Sequence, residues 1–349
     1  MADLFAPLRL GALDLPNRIV MAPMTRSRAD THGVPQEIVA EYYAQRASAG
    51  LIVTEAIYVS AMAKGYVRTP GLVTPEQVAA WKKVTQAVHG KGGRIFAQLY
   101  HTGRVALPDW LPGGVAPVAP SAIAINGTNQ TDEGKKPFVM PRALETDEIA
   151  GVAAEYGQAA QRAMEAGFDG VEVHGASGYL IHQFLDATIN TRTDRYGGSA
   201  ANRVRFLREA VESVVAVVGK DRVGVKISPR IKFNDVVEPD AEEVYPVVAR
   251  ELSECGIAYL HGARQGAYEV HNLRALFSGA YLAGSGFDFE KANDAIVSGA
   301  ADAVVFGKPF LANPDLPRRY REGLDLAQPD QGTIYWGGAK GYVDYPAHM

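Results

Sequence analysis

The hydrophobic pattern of the chain alternates between two periods. Short apolar runs rich in β-branched residues are followed by loops and then by segments with apolar residues at helical spacing. The strand-like runs occupy residues 19–21, 51–56, 94–99, 170–174, 222–227, 257–260, 281–283 and 303–306. The helix-like segments occupy about 35–47, from 74 onward, 146–166, 202–218, 241–255, 289–298 and 315–322, with a possible helix at 269–277. This pattern predicts eight strand-then-helix units.

Eight such units most simply close into one parallel barrel, because each crossover is right-handed and neighbouring strands pair in chain order. We predict an α/β protein with a single (β/α)8 TIM barrel, forming one domain over residues 1–349. Apolar and polar residues alternate on both sides of Gly11 at residues 8–15. This pattern predicts an N-terminal β-hairpin that closes the bottom of the barrel. The alternative is a doubly wound sheet, but the glycine-rich turn that follows its first strand is missing here.

The stretch after the third strand, from 100 to about 144, is unusually long for a loop. Its Gly113 and Gly114 and its scattered prolines are typical of a segment without long elements of its own. We predict that it is a long loop that crosses the mouth of the barrel rather than a separate domain.

Two helix starts carry capping signals. Thr74 precedes Pro75 and is followed three residues later by Gln77, which predicts a capping box. Asp240, followed three residues later by Glu243, predicts a side-chain cap for the helix that begins at 241.

Composition and charge exclude several classes of partner. The 349 residues are 47% hydrophobic and 21% charged, with a formal net charge of −4, so no basic surface for nucleic acid or an anionic membrane is expected. The single cysteine, Cys255, excludes an internal disulfide, and an inert buried thiol is favoured over a nucleophile. Without a long apolar run or a signal-like N-terminus, the chain is expected to be cytoplasmic.

The residues that end the predicted strands share the mouth of such a barrel, where catalytic groups lie. They are residues 23–25, Ala56, Gln98, His174, Lys226 with Ser228, His261, residues 284–286 and residues 307–308. A histidine at a strand end can also be purely structural. The glycine turns after the last two strands expose backbone N–H groups, and Lys308 adds a cation, which suggests a phosphate site; ordinary βα turns are the alternative.

Strand alternation places Glu172 on the same face as His174. A carboxylate that faces the barrel interior needs a partner, so we predict that Glu172 lies near Lys226 or Gln98. The alternative is that it faces a helix and meets an arginine there. No metal-ligand spacing, Gly-x-Ser-x-Gly elbow or phosphate loop occurs, so hydrolase and phosphotransferase functions lose support.

Motifs distributed along the whole chain carry a resemblance to a known family. They are PNRIVMAPMTR at 16–26, YYAQRA at 42–47, AQLYHTGR at 97–104, GFDGVEVHGA at 167–176, RTDRYGGS at 192–199, FGKPFLANPDL at 306–316 and GYVDYP at 341–346. Together they resemble the old yellow enzyme family of FMN-dependent ene-reductases, near its bacterial N-ethylmaleimide reductase type.

The resemblance implies a barrel that holds FMN noncovalently. Its phosphate would lie at Gly284, Ser285, Gly286, Gly307 and Lys308. The flavin ring would lie along Pro23 and Met24, with Thr25 at the C4 carbonyl, Ala56 and Gln98 at the pyrimidine edge, and Lys226 at N1. A cation at N1 would stabilise the negative charge of the reduced ring.

The resemblance also implies the reaction. NADPH or NADH would reduce the flavin, which would reduce activated C=C bonds of enones, maleimides or nitroalkenes. His174 would polarise the substrate carbonyl and Tyr179 would protonate the α carbon, with Ser177 beside them. The substrate pocket would include Tyr66, Tyr100 and Tyr335. The partners would be small molecules, and the chain would be a monomer or a small homo-oligomer.

Three residues depart from the family pattern. Ser177 stands where an asparagine or a second histidine is usual, and Lys226 and Lys308 stand where arginines are usual. Serine is shorter, and lysine keeps the charge but lacks the planar fork. Reduction of nitro compounds or nitrate esters, redox-neutral isomerisation and a specialised biosynthetic reduction are therefore alternatives, although Tyr179 argues against isomerisation. A barrel that binds flavin without turnover is the alternative from another class.

Overall fold

The computed structural model describes residues 3–263 and 273–347. Its strands, in chain order, are β1 (Leu8–Leu10), β2 (Leu13–Leu15), β3 (Ile19–Met21), β4 (Leu51–Tyr58), β5 (Ile95–Tyr100), β6 (Val118–Ala119), β7 (Thr128–Thr131), β8 (Gly134–Pro137), β9 (Arg142–Ala143), β10 (Gly170–Gly175), β11 (Val223–Ile227), β12 (Tyr259–Ala263), β13 (Ala280–Gly284) and β14 (Ala303–Phe306). The helices are α1 (Glu37–Ala44), α2 (Pro75–His89), α3 (Ile149–Glu165), α4 (Leu180–Leu185), α5 (Ala200–Val218), α6 (Ala241–Glu254), α7 (Phe289–Val297), α8 (Lys308–Ala312) and α9 (Leu316–Glu322).

Eight of the strands form a closed parallel barrel. Its order is β3, β4, β5, β10, β11, β12, β13 and β14, and β14 pairs with β3 to close the ring. The strands are buried almost throughout, as expected for a parallel sheet covered by helices. The predicted (β/α)8 fold is confirmed.

The register of the barrel brings the predicted site residues side by side. Glu172 on β10 lies opposite Gln98 on β5. His174 lies opposite Lys226 on β11, and Lys226 lies opposite His261 on β12. Polar side chains from four adjacent strands therefore meet near the carboxyl end of the barrel.

The N-terminal hairpin closes the opposite end, as predicted. β1 and β2 pair antiparallel, and Leu10 and Leu15 pack in one buried cluster with Val20 and Phe96 from the barrel. The turn at Gly11 has a φ of +52°, and a Cβ there would lie 2.1 Å from the Asp221 carbonyl oxygen. Only glycine suits this close approach.

The long segment after β5 carries short strands of its own. β6 pairs with β9, and β7 with β8 forms an antiparallel hairpin. The Asn129 side chain fixes this hairpin by donating to the carbonyls of Gly65, at 2.8 Å, and Val105, at 3.0 Å. The predicted excursion is thus ordered by its own strands and by hydrogen bonds to distant loops.

The two predicted caps have different outcomes. The capping box of Thr74 and Gln77 is present at the start of α2, so that prediction is confirmed. The prediction for Asp240 is wrong, because its side chain makes no cap hydrogen bond to α6. Its carboxylate instead pairs with the guanidinium of Arg203 on α5, a charge-assisted contact that competes with the cap.

Other differences concern element ends and short helices. α3 begins at Ile149 rather than at 146, and the short helices α4 and α8 were not predicted. The possible helix at 269–277 falls partly on residues 264–272, which lie outside the described residues. Within the described ranges, no helix combines the length and apolar character that crossing a membrane requires.

Candidate active site

A cavity of about 1140 Å³ opens at the carboxyl ends of the barrel strands. Each residue predicted to bind the cofactor lines it, namely Pro23, Met24, Thr25, Ala56, Gln98, His174, Lys226, Gly284, Ser285, Gly286, Gly307 and Lys308. So do the predicted substrate-side residues Tyr66, Ser177, Tyr179 and Tyr335. The fold therefore assembles at one site residues that are up to 312 positions apart, from 23 to 335.

Tyr100 is placed differently from the other residues of the predicted substrate pocket. It is fully buried and is absent from the cavity lining. Its ring packs edge-on against Tyr179 with centroids 5.3 Å apart and lies 6.3 Å from the His174 ring. It packs against the rings of Tyr179 and His174 and does not face the cavity.

His174 is held as a neutral hydrogen-bond donor. Its Nδ1 accepts the backbone N–H of Ala176 at 3.2 Å, so the proton of the neutral ring is on Nε2. Burial lowers the pKa of His174 well below its usual value, and the nearby Lys226 charge lowers it further. The ring lines the cavity and is therefore able to donate from Nε2.

Tyr179 provides a hydroxyl next to His174. The two rings meet edge to face with centroids 4.9 Å apart. The Tyr179 hydroxyl donates to the Tyr66 hydroxyl at 3.2 Å. Burial raises the pKa of Tyr179 well above 10, and the neighbouring Tyr66 adds to this, so the phenol keeps its proton. This is the protonation state that a proton donor requires.

Ser177 lies in a rigid turn between His174 and Tyr179. Its φ is +60°, in the left-handed region. Its N–H donates to Ser228 Oγ at 3.0 Å, and its carbonyl accepts from Asn234 Nδ2 at 2.9 Å. The backbone is thus fixed on both sides, and the short hydroxymethyl group leaves space in the cavity.

The floor of the cavity contains a buried carboxylate. Glu172 accepts from Gln98 Nε2 at 2.7 Å, from the Tyr259 hydroxyl at 3.1 Å and from His261 Nδ1 at 3.1 Å. The prediction that Glu172 lies near Lys226 or Gln98 is confirmed for Gln98. Burial opposes the charge, but His261, Lys226 and Gln98 outweigh it and hold the pKa of Glu172 below its usual value.

Lys226 is the cation of the cavity floor. Burial lowers the pKa of Lys226, and the Glu172 charge opposes this effect. Among the described residues its ammonium makes no hydrogen bond and no ion pair within 4 Å. A partly buried cation without a direct partner in the described part of the chain suits a ligand that carries or develops negative charge.

Glycine-containing turns next to the cavity floor suit a phosphate. Ser285 and Gly286 are both left-handed, with φ of 70° and 80°. A Cβ on Gly284 would lie 2.7 Å from His261 Nε2, so this turn approaches the floor as only glycine permits. Lys308 lines the same cavity and is exposed. These groups fit a ligand with a phosphate at one end and an electron-accepting ring at the other, as FMN has.

Several lining residues were missed by sequence reasoning. They are Asn129 and Gln130 of β7, Phe233 of the loop after β11, and Ile334 and Trp336 of the C-terminal segment. None of them ends a barrel strand, so the strand-end argument could not find them. The motif at 341–346 was a signal that the C-terminal segment matters.

Two buried arginines hold the C-terminal segment against the cavity. Arg26 Nε and Arg28 Nη1 donate to the Ile334 carbonyl at 3.0 and 2.9 Å. Arg28 Nη2 also donates to the Trp336 carbonyl at 2.8 Å. These bonds hold the backbone on both sides of Tyr335, and the exposed side chains of Tyr335 and Trp336 line the cavity.

Two other candidates have no place in this site. Cys255 lies at the end of α6, half-buried, and burial raises the pKa of its thiol. Within residues 3–263 and 273–347 no group of His, Cys, Asp or Glu is arranged to hold a metal ion.

The closed barrel, the phosphate-type turns and the cavity floor define a flavin-dependent oxidoreductase of the (β/α)8 class. The chain belongs to the NADH:flavin oxidoreductase / NADH oxidase family, whose model matches residues 3–327. The resemblance to the old yellow enzyme family is confirmed. FMN is the cofactor, and a nicotinamide nucleotide is the reductant.

Relatives and solved structures cover nearly the whole chain. A probable flavin mononucleotide-dependent alkene reductase of Leishmania infantum is 43% identical in an alignment of length 350 that covers 97% of this chain and 96% of that protein. The 12-oxophytodienoate reductase 1 of Oryza sativa subsp. japonica is 41% identical in an alignment of length 356 that covers 98% of this chain and 92% of that protein.

Two solved structures are similar along their whole length. Morphinone reductase in complex with tetrahydroNAD has a TM-score of 0.97 at 46% identity, covering 100% of this chain and 98% of that chain. An old yellow enzyme homologue from Zymomonas mobilis has a TM-score of 0.95 at 44% identity, with 99% of each chain covered.

Proposed function

We propose that this enzyme reduces C=C bonds that are conjugated to a carbonyl or nitro group. The observation that carries the proposal is the pair of neutral proton-bearing groups, His174 Nε2–H and the Tyr179 hydroxyl, beside one cavity. The names of the relatives, an alkene reductase and a 12-oxophytodienoate reductase, support the same chemistry.

Each group has a distinct role in this reaction. The two phosphate-type turns and the cavity floor would hold FMN, which would supply hydride transfer from NADH or NADPH to the β carbon of the alkene. His174 donates a hydrogen bond to the substrate oxygen as negative charge develops there. Tyr179 gives its proton to the α carbon, and its raised pKa keeps that proton available at neutral pH. His174 and Tyr179 are both buried, and the lower local dielectric strengthens both interactions.

A colour assay tests the proposal. Purified protein is expected to be yellow and to release FMN on denaturation. Under anaerobic conditions NADPH or NADH should bleach the flavin absorbance, and a conjugated enone should restore it. Protein that binds no FMN, or a bleached flavin that no enone, maleimide or nitroalkene restores, contradicts the proposal. Recovery with nitro compounds alone would favour the alternative nitro-reducing function.

Lys308→Ala is expected to weaken binding of FMN more than binding of riboflavin. The physical reason is that Lys308 lines the same cavity as the left-handed turn at Ser285 and Gly286, and its charge would act on the phosphate that riboflavin lacks. Loss of one charge-assisted contact of about 1.5–3 kcal/mol corresponds to roughly 10- to 100-fold in the dissociation constant. Fluorescence titration of the apoprotein measures both ligands. Equal losses for FMN and riboflavin would place Lys308 away from the phosphate.

Ser177→Asn is expected to accelerate reduction of cyclohexenone at least several-fold. The longer amide reaches further into the cavity and adds a second donor to the substrate oxygen, and each aimed donor can contribute about 10²–10³-fold. The φ of +60° at this position is one that asparagine adopts more readily than serine, so the change should not strain the turn.

Stopped-flow measurement of the two half-reactions provides the control for Ser177→Asn. Flavin reduction by NADPH should be nearly unchanged, because it does not use the substrate oxygen. If the variant reduces the enone no faster than the parent, Ser177 is not a missing donor and instead makes room for a bulkier substrate.

A further inference from the structure

The Glu172 network fixes which atoms of the floor face the cavity. An ionised carboxylate only accepts hydrogen bonds, so the amide nitrogen of Gln98 must point toward Glu172. The Gln98 carbonyl oxygen is then directed elsewhere, and it has no hydrogen-bond partner among the described residues. Gln98 lines the cavity, and this oxygen is its free acceptor.

The same carboxylate selects the tautomer of His261. Glu172 accepts from Nδ1 of His261 at 3.1 Å, so a neutral ring carries its proton there. Nε2 is then an acceptor, and it lies at the turn of Gly284, where a Cβ would approach it to 2.7 Å. Burial lowers the pKa of His261, which favours the neutral ring.

We propose that Glu172 is a positioning residue that sets the hydrogen-bond polarity and the net charge of the cavity floor. Through Gln98 and His261 it presents acceptors beside the Lys226 cation. Such a floor recognises a ring edge with an N–H donor next to carbonyl oxygens, an imide edge of the kind that the flavin pyrimidine ring has. The inference rests on the proposed function, and it assigns to Glu172 the tuning of cofactor affinity and reduction potential.

Glu172→Gln is expected to change both the affinity for FMN and the reduction potential of the bound flavin. An amide at 172 no longer forces the Gln98 nitrogen inward, so the Gln98 side chain can turn and FMN affinity should fall about tenfold. Reduction adds negative charge to the flavin ring, and the variant removes a negative charge close to Lys226. The midpoint potential should therefore rise, by about 30 mV if the equilibrium changes tenfold in a two-electron couple.

The chain offers a matched control in Glu238. This buried carboxylate also contacts a histidine, His182, at 2.7 Å, and accepts from a tyrosine hydroxyl, that of Tyr245, but it does not line the cavity. Glu238→Gln thus disturbs a similar network without touching the floor. It is expected to leave the potential and the FMN dissociation constant as in the parent.

Fluorescence titration of apoprotein with FMN and a spectroscopic redox titration measure the effects. An unchanged affinity and potential in Glu172→Gln, or equal shifts in Glu238→Gln, would overturn the inference. Should Glu172→Gln fail to fold, Gln98→Asn replaces it, because the shorter amide cannot both reach Glu172 and face the cavity. That variant should also bind FMN about tenfold more weakly, and unchanged binding would count against the inference. A parent protein that binds no FMN would instead contradict the proposed function itself.

Discussion

Tyr179→Phe is expected to slow alkene reduction about 10²–10⁴-fold, the range that a positioned general acid contributes. The substitution removes only the hydroxyl, so the edge-to-face contacts of the ring with His174 and Tyr100 should remain. Flavin reduction by NADPH needs no proton from this group and should keep its rate. Stopped-flow absorbance measures the rates of the two half-reactions, each normalised to the amount of bound flavin. It therefore separates an effect on alkene reduction from an effect on flavin reduction.

Tyr58→Phe is the control for loss of a buried tyrosine hydroxyl. The Tyr58 hydroxyl accepts from Gln77 Nε2 at 2.8 Å and does not line the cavity. Loss of this hydroxyl should change the rate of neither half-reaction by more than a few-fold. If Tyr179→Phe slows both half-reactions equally, or slows alkene reduction no more than Tyr58→Phe does, the proton comes from another source.

The barrel was predictable because each of its strands and helices is specified by residues that are close together in the sequence. Each barrel strand is a short apolar run next to a helix-like segment, and right-handed crossovers leave few ways to combine eight such units. The strand ends followed from the same pattern, which is why His174, Lys226 and the turn at Gly284 were placed at one mouth before any contact was known.

Glu172 shows how a physical constraint extends that local information. Alternation along β10 places its carboxylate inside the barrel, and a buried charge needs donors. Those two facts predict Lys226 or Gln98 as the partner, and Gln98 makes the hydrogen bond. They could not name Tyr259, because its contact depends on the reach of a large side chain from β12, two strands away.

The rim of the cavity was not predictable for the opposite reason. Asn129 lies on β7 of the long segment after β5, and Phe233 and Trp336 lie in loops. The paths of such segments depend on hydrogen bonds to distant residues, such as the one from Arg28 to the Trp336 carbonyl. The cap expected at Asp240 failed in the same way, since Arg203, 37 positions away, takes its carboxylate. A local capping signal therefore fails where a distant charged residue binds the same side chain.

His174→Leu is expected to slow alkene reduction about 10²–10³-fold, the usual effect of removing one donor from the position where an oxyanion develops. Leucine fills a similar volume but offers no N–H in place of Nε2. The rate should fall in the half-reaction with the enone. Stopped flow at saturating enone measures this rate, which is normalised to the amount of bound flavin. The parent should also show no titration of His174 in the usual histidine range in this step, because burial and Lys226 hold the pKa of His174 well below its usual value of 6.5.

His174→Gln separates the hydrogen bond from the shape of the ring. The glutamine amide can place an N–H near the former Nε2, so this variant should keep most of the rate, within about tenfold of the parent. The Ala176 N–H, which Nδ1 accepts in the parent, loses its partner in both variants, so their comparison cancels that effect. Equal rates for His174→Leu and His174→Gln would show that no donor at 174 acts on the substrate oxygen, and the polarising role would then have to be assigned to another residue of the cavity.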